Sequence, residues 1–147
     1  PKLGAGVVWR TVAADPENTA AVDSEGALYV WGLDSHGWSK VPVLGAGVVW
    51  KTVAAGHGHT AAVDSDGALH VWGWDNHGQV SKAPKLGAGV VWRTVAAGAH
   101  HTAAVDSAGH LHVWGWDSHG QVCGKAGVGK LRAARLGWLR PIKGARP

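Results

Sequence analysis

The sequence predicts an all-β protein built from about three copies of one repeated unit. Trp9, Trp50 and Trp92 open equivalent segments, so the period is about 42 residues, which is typical of solenoids, propellers and other repeat arrays. Glycines and Asp-rich turn sequences recur in register along the chain. No stretch shows a sustained 3.6-residue apolar period, so the pattern favours strands over helices.

The second and third copies of the repeat are nearly the same sequence. Residues 48–83 and 90–125 are identical at 27 of 36 positions, and residues 1–14 recur unchanged at 84–97. We therefore interpret the chain as a piece of a longer array, or as one that starts in mid-repeat. The expected divisions are the end of a preceding repeat (1–6), repeat 1 (7–47), repeat 2 (48–89), a truncated repeat 3 (90–124) and a basic tail (125–147).

The first half of each repeat predicts a β-hairpin, described here for the second copy. Residues 48–55 are apolar and β-branched at their start, which suits a buried strand, and residues 59–63 suit a second one. Residues 64–67 (Asp-Ser-Asp-Gly) then predict a tight turn, in which Asp bonds the local backbone and Gly supplies a positive φ. We interpret these aspartates as turn residues and not as a carboxylate pair for acid–base catalysis.

The second half of the repeat predicts a returning strand and a short outer one. Residues 68–73 alternate, with Leu69 and Val71 on one face and His70 and Trp72 on the other. After a loop at residues 74–78, Gln79–Lys82 is expected to form a fourth strand. Pro84 suits the edge or loop that follows it.

Composition and charge narrow the range of functions. No segment approaches the roughly 20 apolar residues that cross a bilayer, and the single cysteine, Cys123, cannot form an internal disulfide. A soluble, cytoplasmic protein is the default expectation.

Residues 1–124 hold seven Lys/Arg against ten Asp/Glu, whereas residues 125–147 hold seven Lys/Arg and no acid. Contact with nucleic acid or an anionic membrane is thus expected only from the tail, through its phosphate-binding candidates Lys130, Arg132, Arg135 and Arg140. A solvated, disordered end is the alternative.

A longer pattern, V-A-A-G-x-x-H-T-A-A-V-D-x-x-G-x-L-x-V-W-G-W-x-x-x-G-Q, runs from Val53 to Gln79 and again from Val95 to Gln121. It resembles the repeat of the regulator of chromosome condensation (RCC1) family, whose members are seven-bladed β-propellers. A WD40-type propeller is the rival interpretation, but its Trp-Asp dipeptide is missing from the first repeat. The resemblance implies a partial or oligomer-completed β-propeller of about three four-stranded antiparallel blades.

Three blades are fewer than the roughly four to eight with which propellers close. An open arc exposes strand edges and blade faces, which favours association. We therefore expect self-association, for instance two arcs in a six-bladed ring, or completion by a longer parent chain.

The function we expect is that of a non-catalytic scaffold that binds a protein partner. The loops at residues 15–18, 57–58 and 99–100 differ between copies while the strands stay constant, as on a rigid scaffold that presents variable contacts. The resemblance implies two alternatives: guanine-nucleotide exchange on a small GTPase with chromatin binding, and inhibition of an enzyme such as a β-lactamase. No cofactor and no catalytic residue are predicted.

The candidate partner-binding residues lie in the loops, where tryptophans stand among polar neighbours. They are His57, Trp74, Asp75, His77, His100, Trp116, Asp117 and His119. Packing within the fold is the competing interpretation of the two tryptophans. Tryptophans at the first and third strands of each repeat are expected to pack within and between blades.

Closely spaced histidines at 57/59, 100/101 and 110/112 raise a metal hypothesis, because imidazole is a common ligand. We predict no metal site, since such sites need three or four converging ligands. His59 and His101 instead occupy the His-Thr position of the repeat, where the ring is expected to satisfy backbone groups between strands. Cys123 is interpreted as a bystander.

Overall fold

The structure, a computed structural model, describes residues 1–35, 37 and 39–123. These residues form nine strands in three antiparallel sheets, and no helix. Blade 1 consists of β1 (Trp9–Ala14), β2 (Asn18–Asp23) and β3 (Leu28–Gly32). Blade 2 consists of β4 (Trp50–Gly56), β5 (His59–Asp64) and β6 (Leu69–Gly73), and blade 3 of β7 (Trp92–Ala97), β8 (His101–Asp106) and β9 (Leu111–Gly115). The predicted all-β fold class is confirmed.

Each blade is a meander in which the middle strand pairs with both neighbours. The second strand lies in the centre because the turns on both sides are short enough for direct hairpin pairing. Every residue of β5 is buried. The first strand of each blade begins with a register irregularity directly after its tryptophan, as between Trp50 and Thr52.

The predicted fourth strand at Gln79–Lys82 is wrong, because these residues form turns and each blade has three described strands. The amides of Val80 and Ser81 donate to Asp75 Oδ1 at 2.8 and 2.9 Å. The Gln79 carbonyl accepts hydrogen bonds from blade 3. The backbone groups that a strand ladder would use are therefore already occupied.

The Asp-Ser-Asp-Gly hairpin turn is confirmed. Asp64 is buried, and its Oδ1 accepts the amides of Asp66 and Ala68, both at 2.9 Å, while Oδ2 lies 2.8 Å from His70 Nε2. Burial by itself raises the pKa of the Asp64 carboxyl, but these hydrogen bonds outweigh it and lower the pKa below its ordinary value. Gly67 closes the turn at φ +77°. The first aspartate is thus a turn residue, as predicted.

Successive blades bury their apolar faces against each other. We call the side of a blade that meets the preceding blade its leading face; in blade 2 it presents Trp50, Val53, Ala62 and Trp72. The opposite side, the trailing face, meets the following blade; in blade 2 it presents Ala54, Ala61, Val63 and Leu69. The core therefore consists of two similar layers, one at each junction between blades.

The tryptophans of the strands pack as expected, with one difference. Trp50 and Trp72 lie 6.0 Å apart between ring centroids and are buried at the junction of blades 1 and 2. Trp9 and Trp31 keep a similar separation, 6.5 Å, but are exposed because none of the three described blades covers the leading face of blade 1. No helix in the described part of the chain is long and apolar enough to span a membrane.

Candidate functional site

Four loops of blades 2 and 3 gather at one edge of the junction between these blades. The amide of Trp74 donates to the Gly58 carbonyl at 2.7 Å, so the loop after β6 is fixed to the turn between β4 and β5. The amide of Trp116 donates to the His100 carbonyl at 2.9 Å in the same way. Across the junction, the His57 amide donates to the Ala99 carbonyl at 3.1 Å. These bonds hold the four loops together.

The side chains of these loops form one continuous aromatic cluster. Trp74 lies against three imidazoles, and His100 joins it to Trp116: the centroid distances are 5.1 Å for Trp74–His100 and 5.4 Å for His100–Trp116. His77 contacts Trp74, His100 and Trp116 at 5.8, 5.2 and 5.6 Å. His57 and His119 extend the two ends of the cluster. We call the six residues His57, Trp74, His77, His100, Trp116 and His119 the aromatic–histidine surface.

The aromatic–histidine surface is accessible from solvent. His119 is exposed, and the other five side chains are half-buried. Burial, followed by repulsion from His77 and His57, lowers the pKa of His100 below its ordinary value. His100 is therefore uncharged at neutral pH. The surface offers two indoles, a side chain that frequently anchors protein interfaces, around an imidazole at its centre.

Asp75 and Asp117, the other two predicted site residues, hold their own loops. Asp117 Oδ1 accepts the amides of Val122 and Cys123 at 2.8 and 3.1 Å, which repeats the arrangement of Asp75 with residues 80 and 81. Burial tends to raise the pKa of the Asp75 carboxyl, but the hydrogen bonds from its loop prevail and lower it. These carboxylates therefore position the loops that carry the tryptophans.

Two glutamines that the sequence analysis did not single out also shape the surface. Gln79 Oε1 accepts the amide of His77, and Gln121 Oε1 accepts the amide of His119, both at 2.9 Å. Gln79 is fully buried. The signal was present in the sequence, because Gly-Gln recurs at the same place in both repeats, but the pattern does not reveal which backbone group the amide reaches.

A shallow pocket lies beside the aromatic–histidine surface where the first strands of the three blades end. Its volume is about 270 Å³. Its lining comes from the ends of β1, β4 and β7 and from the three loops that differ between copies: Ala14, Asp15, Pro16, Ala55, Gly56, His57, Ala97, Gly98 and Ala99. The structure thus brings the variable loops 15–18, 57–58 and 99–100 together at one place. His57 belongs both to this pocket and to the aromatic–histidine surface.

His59 is a structural residue, as predicted, but its hydrogen-bond partner differs from the expected backbone group. The ring is fully buried, and its Nε2 lies 3.1 Å from Thr102 Oγ1 of the next blade. Thr102 Oγ1 in turn donates to the Gln79 carbonyl at 3.0 Å, and Trp114 Nε1 donates to the same carbonyl at 2.9 Å. This network joins blade 2 to blade 3. Burial lowers the pKa of His59 to about 4.

The remaining histidine pair serves a turn. His110 Nδ1 and His112 Nε2 both approach Asp106 Oδ2, at 3.2 and 2.9 Å. The hydrogen bond from His112 is the main reason why the pKa of the Asp106 carboxyl is lowered. Within residues 1–35, 37 and 39–123, no group of three or more His, Cys, Asp or Glu side chains has an arrangement that could hold a metal ion. The predicted tail contacts, Lys130, Arg132, Arg135 and Arg140, lie outside the described residues.

Comparison with known proteins identifies the repeat. Residues 50–79 and 92–121 match the family model of the regulator of chromosome condensation (RCC1) repeat. No curated protein matches the sequence.

Solved structures share the arrangement of the blades. Human WBSCR16 is 22% identical with a TM-score of 0.67, and the match covers 84% of this chain and 38% of that one. Yeast Prp20p, studied for its binding to Gsp1p and histones, is 23% identical with a TM-score of 0.62 and covers 77% of this chain and 32% of its own. The C-terminal domain of gp131 from bacteriophage phiKZ is 12% identical with a TM-score of 0.56, over 79% of this chain and 38% of that domain's chain.

At these identities the structural likeness concerns the fold alone, and the chain spans about a third of the length of these proteins. The matched repeats and the shared blades confirm the resemblance seen in the sequence. Two of the three copies, residues 50–79 and 92–121, match the RCC1 repeat, and the described residues have the fold of three successive blades of an RCC1-like β-propeller.

Proposed function

We propose that the chain is a non-catalytic scaffold that binds a protein partner through the aromatic–histidine surface. The observation that supports this function is the convergence of two indoles and four imidazoles from four loops on one accessible surface. Tryptophan is among the most frequent anchors of protein interfaces, because a large ring buries much area at a small cost in conformational entropy. The strands beneath the loops keep the anchors in place.

The chemistry of the surface indicates what the partner presents. Trp74 and Trp116 lie on either side of His77 and His100, so an apolar side chain of the partner is expected to cover the indoles. Imidazole nitrogens at the rim then satisfy polar groups of the partner backbone. Asp75 and Asp117 act indirectly, by fixing the loops.

The structural neighbours support a protein as the class of partner. Yeast RCC1 (Prp20) is described with its binding to Gsp1p and histones, and it has also been solved in complex with Kap60. One structural neighbour of this chain thus binds several proteins. Exchange of guanine nucleotide is the second candidate function, because the resemblance to the RCC1 repeat implies it.

The test uses the immobilised 147-residue chain to bind purified Gsp1p, purified histones and proteins from a cell extract. Replacing both anchors (Trp74→Ala with Trp116→Ala) is expected to weaken binding by roughly 30-fold or more, the loss of about 2 kcal/mol typical of one anchor residue. His119→Glu, at an exposed position, is expected to weaken the same binding without disturbing the core.

Leu33→Ala is the matched control, because Leu33 occupies the position of Trp74 in the first repeat and lies outside the cluster. Equal binding by wild type, the double variant and His119→Glu would show that the partner uses another surface. Faster release of nucleotide from Gsp1p in the presence of the chain would favour exchange activity instead.

A further inference from the structure

The leading face of blade 1 and the trailing face of blade 3 are both exposed. Faces of these two kinds pack against each other at the two internal junctions, between blades 1 and 2 and between blades 2 and 3. On the leading face of blade 1, Trp9 is 41% exposed and Val12 is 68% exposed. Their counterparts in blade 2, Trp50 and Val53, are 7% and 5% exposed because blade 1 covers them. An apolar groove of about 370 Å³ opens at this end, lined by Pro1, Trp9, Val12, Ala21 and Trp31.

The trailing face of blade 3 is the matching half. Leu111 is 65% exposed there, and it lines a second apolar groove together with Ala103 and Val105. The equivalent residues of blade 2 contact Trp92, Val95 and Trp114 in the junction with blade 3; they are Ala61, Val63 and Leu69. The exposed groove at the end of blade 3 thus has the side chains that cover a leading face elsewhere in the chain.

The space next to one repeated glycine also differs between the internal junctions and the end of blade 3. A Cβ on Gly67 would collide with Val91 of the next blade, and one on Gly26 would collide with Val49. At Gly109, the third copy of this position, no atom of residues 1–35, 37 and 39–123 lies within 4 Å of the Cβ site. Val8, which corresponds to Val49 and Val91, is itself exposed. Within the described residues, the site beside Gly109 is open at the end of blade 3, and Val8 is 59% exposed at the start of blade 1.

The residue types that form the polar network between blades 2 and 3 also occur on the two exposed faces of the chain. His59 and the Gln79 carbonyl of blade 2 bond Thr102 and Trp114 of blade 3. His101 and Gln121 stand at the corresponding trailing positions of blade 3. Thr19 and Trp31 stand at the corresponding leading positions of blade 1. A second copy can complete apolar and polar contacts together.

We propose that two copies of this chain dock head to tail, with the leading face of blade 1 of each copy on the trailing face of blade 3 of the other. The occupant is a second copy because the chain itself contains both surfaces and already joins them at two internal junctions. Joining different surfaces of identical copies is a heterologous contact, which closes only if the rotation per unit completes a ring. Two arcs of three blades give six blades, within the range in which propellers close.

The test combines mass measurement with complementation between two variants. Wild type is expected at twice the 15.2 kDa of one chain in light scattering. Val12→Asp disables the leading face and Leu111→Asp the trailing face, so each variant alone is expected at the mass of one chain. An equimolar mixture is expected to recover a particle of two chains, because each variant keeps the face that the other lacks.

Val43→Asp is the control, since Val43 is 97% exposed in the linker between blades 1 and 2 and should leave the mass unchanged. Recovery in the mixture also shows that both variants are folded. A wild-type particle of one chain, or open assemblies of many chains, would overturn the proposed ring. An unchanged mass of both variants, or no recovery in the mixture while each keeps the wild-type circular dichroism spectrum, would overturn it as well.

Discussion

At the scale of single residues, burial determines the protonation state of His59. His59 is enclosed between two blades, so its ring is held neutral by its surroundings. In the first copy of the repeat, Asn18 occupies the position of His59, so asparagine is compatible with this site of the fold. The amide of Asn18 instead donates to the nearby carboxylate of Asp15.

His59 is expected to make folding sensitive to mild acid. Its pKa is about 4 in the folded chain and 6.5 as an ordinary imidazole, so the unfolded chain binds the extra proton below pH 6.5. Stability is therefore retained above pH 6.5, falls as the pH decreases and levels off below pH 4. For His59 alone the loss between pH 7 and pH 4.5 is about 2–3 kcal/mol.

Urea unfolding at these two pH values measures this loss. His59→Asn is expected to lose less stability than wild type over the same interval, by about 2–3 kcal/mol. The comparison between wild type and variant cancels the contributions of the aspartates and of the other histidines. Equal losses would mean that His59 is not the group responsible.

At the scale of elements, the three strands of each repeat and the turn at residues 64–67 were predictable from the sequence, whereas the structure of residues 79–82 was not. Alternation placed His70 and Trp72 opposite Leu69 and Val71, and the structure confirms this because both faces of the sheet are buried in different junctions. The outer strand at Gln79–Lys82 was wrong. The Asp75 carboxylate accepts the amides of Val80 and Ser81, five and six residues further along the chain. Such contacts depend on the path of the loop, which the sequence pattern does not give.

In the candidate site, the sequence identified the loop residues but not the distances between them. Recurrence in register identified Trp74, Trp116 and their histidine neighbours as loop residues, but sequence spacing does not measure distances between loops of different blades. His57 and His100 come within 5.7 Å of each other only because adjacent blades bond through the His57 amide. Asp75 and Asp117 were assigned to the surface because they are close in sequence to the tryptophans. In the structure, their carboxylates accept hydrogen bonds from backbone amides of their own loops.

Asp75→Ala tests the importance of the loop anchor. Removing the carboxylate leaves the amides of Val80 and Ser81 without their acceptor, which is expected to lower the free energy of unfolding by about 1–3 kcal/mol. Hydrogen exchange at residues 80 and 81 should become faster. Asn76→Ala, a neighbouring exposed position, is the control; a similar effect of both substitutions would contradict a role for the Asp75 carboxylate.

At the scale of the whole molecule, the blades resemble units in a stack, each stabilised by its neighbours more than by itself. The middle strand of blade 2 is completely buried because it has a blade on each side. Strand β8, with a described blade on one side only, alternates between buried and half-buried positions, whereas β2, which also has one neighbouring blade, has a single half-buried residue. In a repeat array of this kind, stability is expected to increase with the number of completed junctions.

This dependence gives the proposed ring a thermodynamic signature. If two copies complete each other, the melting temperature of wild type should rise with chain concentration, because association stabilises the folded state by mass action. Val12→Asp should melt at a temperature that does not depend on concentration. Differential scanning calorimetry over a 100-fold range of concentration makes the comparison, and a wild-type melting temperature that stays constant would contradict association.

The apolar packing that the two internal junctions share has a consequence for how this chain can vary. Adding or deleting one whole period of about 42 residues leaves the outer surface of the first blade and that of the last blade unchanged. Length variants produced by duplication of the repeat would therefore keep mutually compatible ends. They would differ in the number of blades that each chain contributes, so in the proposed ring the total number of blades could change by whole repeats while the docking surfaces stay the same.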